Sequence, residues 1–240
     1  MPFPGDDVFG TTPPIRYFFR ECTESPYLLV VFSAYSRQGQ PPRYNYLNAL
    51  ENVKINQLFI LDDYGGNGCY YLGENRDFFV EKNTIDLIRS ISSERGIDSD
   101  HIIAGGSSKG GYAALYFAFR YGFCAAVSGG FQSLLGNYLA EYHPETARLI
   151  AGGCSEEDIS FLNALLFDAV ASASTVPKLF LHMGRGDYHY DQHYLPLIEQ
   201  LERCGICYQT DVPEYIDHDE VGVYYPRFLI RTLHDCYEMR

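Results

Sequence analysis

The sequence predicts an α/β protein with a mostly parallel central sheet and helices on both faces. Short apolar runs of strand length alternate with longer segments of helical periodicity, the pattern of repeated βαβ crossovers. Several of the short runs are apolar throughout, as strands covered on both sides are. At 240 residues, 46% of them hydrophobic, the chain is long enough to bury such a sheet and reads as a single domain.

Taken in order, the predicted strands are "IRYFFR" at 15–20, "YLLVVFS" at 27–33, "INQLFILD" at 55–62, "HIIAG" at 101–105, "CAAVSG" at 124–129, "KLFLHM" at 178–183 and "CYQTDV" at 207–212. Helices are predicted over "NTIDLIRSISSERG", with Asn83 or Thr84 as cap and Gly96 as stop, over 110–121, and over "YLPLIEQLERCG". A helical, lid-like insertion is expected across 131–174. It contains "SEEDISFLNALLFDAV", where Ser155 and Asp158 have the spacing of a capping box.

A formal charge of −13 disfavours nucleic acid and anionic membrane as partners, since both are polyanions and the Lys and Arg residues are scattered. No apolar run has the length of a membrane span, and the start "MPFPGDD" is not that of a secretion signal, so a cytoplasmic protein is expected. Seven irregularly spaced cysteines fit reduced thiols, and the lone C-x-x-C at Cys204 and Cys207 is read as structural.

The chemistry centres on "HIIAGGSSKGGYAALYFA". Gly106 to Gly110 fits G-x-S-x-G, with a strand before it and a helix after it, which makes Ser108 the nucleophile of a strand-turn-helix elbow. Small flanking residues let strand and helix approach closely, and the N-terminus of the following helix directs the backbone N–H of Lys109 toward a developing oxyanion. A phosphate-binding loop is disfavoured because glycine follows Lys109.

A serine hydroxyl needs a base, and the base an orienting carboxylate. The chain order Ser, acid, His of α/β-hydrolases is met by Asp187 in "GRGDYHYD" and His218 in "DVPEYIDHDEVG", each in a loop after a strand. Asp191 competes with Asp187, and Asp217 and Asp219 flank the histidine. His182 reads as a core histidine and His234 lies too deep in the last helix. His189 and His193 have metal-ligand spacing but lack the H-E-x-x-H glutamate, so two solvated histidines at the start of a surface helix are expected. The second oxyanion donor is sought in "FSAYSRQGQPPRYNY", at the backbone of Ala34 or Tyr35. In the loop 61–78, Tyr70 and Tyr71 are candidates to stack on a sugar, with Asp62, Asp63 and Asn67 to bond its hydroxyls. The same loop also reads as an ordinary surface connection.

The segments "VVFSAYS", "LFILDDYGGNGCYYLGENRDF" and "IIAGGSSKGGYAALYFA" together resemble the XcbB/CpsF family of capsular-polysaccharide biosynthesis proteins. They also resemble the hydrolase-like part of the second accessory protein of the accessory Sec system. The resemblance spans about 27 to 235 and is sharpest in "GGSSKGGYAAL". It implies an α/β-hydrolase fold and O-acetylation of sugars through a triad, with Ser108, Asp187 and His218 at the matching positions. The acid in those relatives can be Glu, which leaves the choice among Asp187 and its neighbours open, and Ala34 stands where glycine is expected.

The expectation is therefore acyl transfer or ester hydrolysis through a covalent acyl-enzyme, acting between an acyl donor and a carbohydrate acceptor or on an esterified glycan. Neither cofactor nor metal is required, and protein partners of a glycan or secretion pathway are implied by the resemblance. The alternative is a binding or scaffolding module that keeps the fold without its chemistry.

Overall fold

The computed structural model describes residues 5–10, 12–36, 40–66 and 68–238. In chain order its elements begin with β1 (Asp7–Phe9), β2 (Ile15–Arg20), β3 (Leu28–Phe32) and β4 (Asn56–Leu61). Helix α1 (Phe79–Glu94), β5 (Ile102–Ser107), α2 (Lys109–Tyr121) and β6 (Ala125–Gly129) follow. Three helices, α3 (Leu135–Tyr142), α4 (Pro144–Ala151) and α5 (Glu156–Ala171), precede β7 (Lys178–His182), α6 (Leu195–Arg203), β8 (Tyr208–Asp211) and α7 (Val221–Glu238).

All eight strands join one sheet in the order β1-β2-β4-β3-β5-β6-β7-β8. β2 runs antiparallel to both of its neighbours, and every pair from β4 to β8 is parallel. The all-apolar strands are explained by the two-sided cover. Leu28, Val30, Phe32, Leu58, Ile60 and Ala104 face a core completed by α1, α2, α5 and α6, while Leu29, Val31, Phe59, Ile103 and Val127 face Tyr225, Leu229 and Leu233 of α7. Successive residues thus serve opposite cores, as the period of two requires.

The predicted strands and helices are present with small shifts at their ends, and two differences have identifiable causes. Helix α1 starts at Phe79, four residues ahead of the Asn83 cap expected from sequence, because tertiary contacts replace the missing side-chain cap. There Glu81 N–H donates to the Leu72 carbonyl at 2.9 Å, and the Glu81 carboxylate takes Tyr116 and Arg120 at 3.0 and 2.6 Å. The three-residue β1 has no apolar run of its own and exists through its pairing with β2. In the insertion, Ser155 Oγ accepts from Asp158 N at 3.2 Å while the Asp158 carboxylate accepts from Ser155 N at 2.9 Å, the reciprocal box expected there.

After β3 the chain moves outward to β4, and after α1 it returns to β5 on the other side of β3. That reversal opens a crevice outside the carboxyl ends of β3 and β5, where open parallel sheets place their ligands. No helix among the described residues is long and apolar enough to cross a membrane.

Candidate active site

Ser108 occupies the turn from β5 into α2 with φ 52° and ψ −123°, a conformation that costs about 1–3 kcal/mol for a non-glycine residue. It is held there by its N–H bond to the Gly129 carbonyl at 2.8 Å and by crowding on both flanks. A Cβ on Gly106 would lie 2.4 Å from the Gly110 carbonyl oxygen, and one on Gly110 would lie 2.3 Å from that of Phe32. Only glycine permits these two approaches, which accounts for Gly106 and Gly110 in "GGSSKGG". On the far side of the sheet, the Tyr225 hydroxyl donates to the Val127 carbonyl at 2.6 Å and accepts from Gly106 N at 2.7 Å, clamping β5 to β6 beneath the turn.

Asp187, in the loop after β7, is 2% exposed. Its Oδ1 accepts from His189 N at 2.9 Å and its Oδ2 lies 2.9 Å from Nδ1 of His218. His218 Nε2 in turn lies 3.1 Å from Ser108 Oγ. Since a carboxylate only accepts, Nδ1 carries the proton and Nε2 presents a lone pair to the serine hydroxyl. Of the competing acids, Asp191 is exposed, and Asp217 is taken up in a capping box with Glu220. Asp219 lines the cavity, but it is Asp187 that His218 engages.

Ser108 and His218 open into a cavity of about 340 Å³, walled by Tyr35, Tyr46, Tyr138 and His143, with Arg43 and Asp219 also on its lining. The insertion contributes Tyr138 and His143, and it is tied to the loop after β3. Tyr35 stacks on His143 with centroids 4.5 Å apart, and its hydroxyl is 2.8 Å from Thr146 Oγ1. Burial lowers the pKa of His143 and raises that of Tyr35, so both face the cavity uncharged at neutral pH.

The surroundings of several side chains correct the roles expected for them. Tyr70 and Tyr71, expected to offer a sugar platform, are 0% and 1% exposed. Both adopt positive φ, 56° and 59°. Tyr70 packs edge-on against Tyr35 and Tyr112, and Tyr71 against Phe32. Asp63 lies away from the cavity lining and pairs with Arg16 at 3.3 Å, while Asn67 falls outside the described residues. Asp62 is buried and holds the ammonium of Lys109 at 2.9 Å, its side chain also accepting from the N–H groups of Cys69 and Tyr71 at 3.0 and 3.3 Å. The Ala34 N–H is occupied by Asn45 Oδ1 at 2.8 Å, which removes it as an oxyanion donor.

His189 and His193 are buried rather than solvated, because a wide π-type turn at Tyr190–Tyr194 draws them under Tyr138 of the insertion. Burial, with the neighbouring histidines, depresses their pKa values to about 2 and about 4. His189 Nδ1 bonds the Gly130 carbonyl at 3.1 Å and so supports the loop after β6. Asp187, His189 and His218 bring one metal-ligand atom each within 4.8 Å of one another, but Asp187 and His218 already bond each other there. His182 is a core histidine bonded to Asp211 at 2.8 Å, and Cys204 and Cys207 are free thiols at the surface.

One residue at the site has no signature in the sequence. Gln132, fully buried in the loop after β6, places its Nε2 3.1 Å from Ser108 Oγ. Its only signal is position, as a polar residue just past the carboxyl end of a central strand.

No family model matches the chain, and no curated protein sequence matches it. Solved structures do. A capsule O-acetyltransferase of Neisseria meningitidis serogroup A, in a mutant form bound to CoA, superposes with a TM-score of 0.82 at 19% identity, covering 97% of this chain and 96% of that one. A fluorophosphonate-binding serine hydrolase of Staphylococcus aureus, FphF, matches with a TM-score of 0.67 at 18% identity, covering 92% and 91%. The chain has the α/β-hydrolase fold. The Glycosylation Associate Protein (Gap123) complex of Streptococcus agalactiae also matches, with a TM-score of 0.81 at 18% identity. There the match covers 97% of this chain but 47% of the other, so this hydrolase-fold chain corresponds to about half of that protein. Within the α/β-hydrolase fold the reversal crevice, the elbow and the loops after β7 and β8 converge at one end of the sheet, where Ser108, Asp187 and His218 meet.

Proposed function

We propose that the protein is a serine acyltransferase or esterase that moves or removes an O-acetyl group on a glycan through an acyl-enzyme on Ser108. The observation that carries this reading is the unbroken hydrogen-bond chain from Asp187 through His218 to Ser108, at 2.9 and 3.1 Å, opening into the cavity. His218 takes the proton as Ser108 Oγ attacks the acyl carbonyl, and returns it to the departing alcohol or thiol. In the second half an acceptor hydroxyl or water gives its proton to His218 and attacks the acyl-enzyme; the acyl–Oγ bond breaks, and the proton passes back to Ser108. Asp187 holds the ring in the tautomer this needs and balances the imidazolium that forms.

The oxyanion donors are the N–H of Lys109, at the first position of α2, and that of Tyr35, since Ala34 is engaged. The CoA bound to the meningococcal neighbour makes an acyl-CoA the first donor to test. That neighbour and the glycosylation-associated complex support a glycan acceptor and protein partners in a glycan pathway. The free surface thiols Cys204 and Cys207 fit a reducing cytoplasm.

The test is intact-protein mass spectrometry of wild type and Ser108→Ala mixed with an activated acetyl ester, with and without a panel of amino sugars. An acetyl adduct on wild type alone, discharged faster by a sugar than by water, is the expected result. Full ester turnover by Ser108→Ala would overturn the proposal.

A further inference from the structure

The nucleophile has a second hydrogen-bond partner besides its base. Gln132 Nε2 lies 3.1 Å from Ser108 Oγ and 3.4 Å from the Gly130 carbonyl, while its Oε1 receives the Tyr70 hydroxyl at 3.4 Å. The amide has one consistent orientation. Reversing it would set Oε1 against the Gly130 carbonyl, acceptor against acceptor, whereas the Tyr70 hydroxyl can serve either end of the amide. Gln132 therefore donates to Ser108 Oγ. With a lone pair of that oxygen occupied, the serine proton is left for His218 Nε2, which is 3.1 Å away on another side.

We propose that Gln132 is a catalytic residue whose amide N–H stabilises Ser108 Oγ as that oxygen leaves the acyl group, accelerating breakdown of the acyl-enzyme. This rests on the acyl-enzyme reading above. An ester oxygen is a poorer acceptor than a hydroxyl, and both are poorer than an oxygen carrying alkoxide charge. When the acyl–Oγ bond breaks, the electron pair passes to Oγ before the proton from His218 neutralises it, and the Gln132 hydrogen bond strengthens on the way to that transition state. In the acylation direction the starting hydroxyl already accepts this bond, so less is gained. Only the difference between ground and transition state accelerates a step. This donor is separate from the oxyanion hole, which bonds the carbonyl oxygen. Tyr70 is the positioning residue, since its buried hydroxyl holds the Oε1 end of the amide while the Gly130 carbonyl sets which way it faces.

The experiment follows acetylation of Ser108 by p-nitrophenyl acetate in rapid-quench intact-protein mass spectrometry, then its loss after removal of the ester, in wild type, Gln132→Met and Tyr70→Phe. For Gln132→Met, loss of the adduct is expected to slow by about tenfold to a hundredfold while adduct formation changes less than about threefold, so the acetylated form accumulates. Tyr70→Phe is expected to shift the same ratio by a smaller factor, and it keeps the test intact should Gln132→Met not fold. A merely structural role, by misplacing Ser108, would slow both steps together. Wild-type deacetylation rates in a folded Gln132→Met, or equal slowing of both steps, overturn the role of Gln132. Absence of any adduct on wild-type Ser108 would instead overturn the acyl-enzyme reading, and this role with it.

Discussion

Replacing Lys109 by Met keeps the backbone N–H that follows Ser108 and removes only the side-chain ammonium. That ammonium is 1% exposed and sits 2.9 Å from an Asp62 carboxylate that is 0% exposed, with a second bond to the Asp62 carbonyl at 3.1 Å. Desolvating such a pair is costly, so its presence contributes little net stability, whereas deleting one partner strands the other. Asp62 would keep the N–H groups of Cys69 and Tyr71 but lose its counter-charge. Stranding a buried charge in this way costs about 3–5 kcal/mol, a large share of the roughly 5–15 kcal/mol that holds a domain folded. The double variant Lys109→Met with Asp62→Asn discharges the stranded group while retaining an acceptor for Cys69 N–H. Its cost is expected to be about 1–2 kcal/mol, that of imperfect hydrogen bonding alone. Urea unfolding followed by circular dichroism at pH 7 measures both, provided the slopes stay equal. A single variant within about 1 kcal/mol of wild type, or a double variant no better than the single, would refute the reasoning.

Other expectations are as direct. His189 and His193 have pKa values of about 2 and about 4 in the fold against 6.5 as free groups, so the unfolded chain binds more protons below pH 6.5. Their contribution is intact above pH 6.5 and is lost as the pH falls toward the folded values, by about 2 kcal/mol for each histidine between pH 6.5 and 4.5. Urea midpoints across that range should fall less in His193→Gln than in wild type; parallel curves would remove His193 from the account. Gly110→Ala pushes a methyl to 2.3 Å from the Phe32 carbonyl and is expected to cost about 1–3 kcal/mol in a thermal melt and to suppress Ser108 acetylation, with unchanged behaviour counting against the close approach.

Whatever is written in local pattern can be read from the sequence. Solid apolar runs mark strands sandwiched between two cores, and the two glycines that flank Ser108 by two residues mark the elbow because the steric demand lies within a few residues of them. Asp187 and His218 follow from chain order, which topology constrains. Long-range partners stay hidden. Tyr70 and Tyr71 read as exposed because glycines and polar residues surround them, whereas their rings pack on Tyr35, Tyr112 and Phe32, and the Asp62 carboxylate that bonds Tyr71 N–H also meets Lys109 from 47 residues away. His189 and His193 read as solvated because the insertion that covers them lies about fifty residues earlier. Ala34 is a plausible donor until Asn45 folds back onto its amide, and Gln132 belongs to no motif.

The buried ion pair has a consequence for transplanting this chemistry. Asp62, Tyr70 and Tyr71 belong to none of the three proposed triad positions, yet Asp62 anchors the elbow through Lys109, Tyr70 bonds the Gln132 amide, and Tyr71 grips Ser33 immediately before the loop that carries Tyr35. These three residues thereby touch three parts of the proposed site that come from distant points of the chain. A graft of Ser108, Asp187 and His218 onto another scaffold would carry the proposed reacting atoms and leave this jig behind.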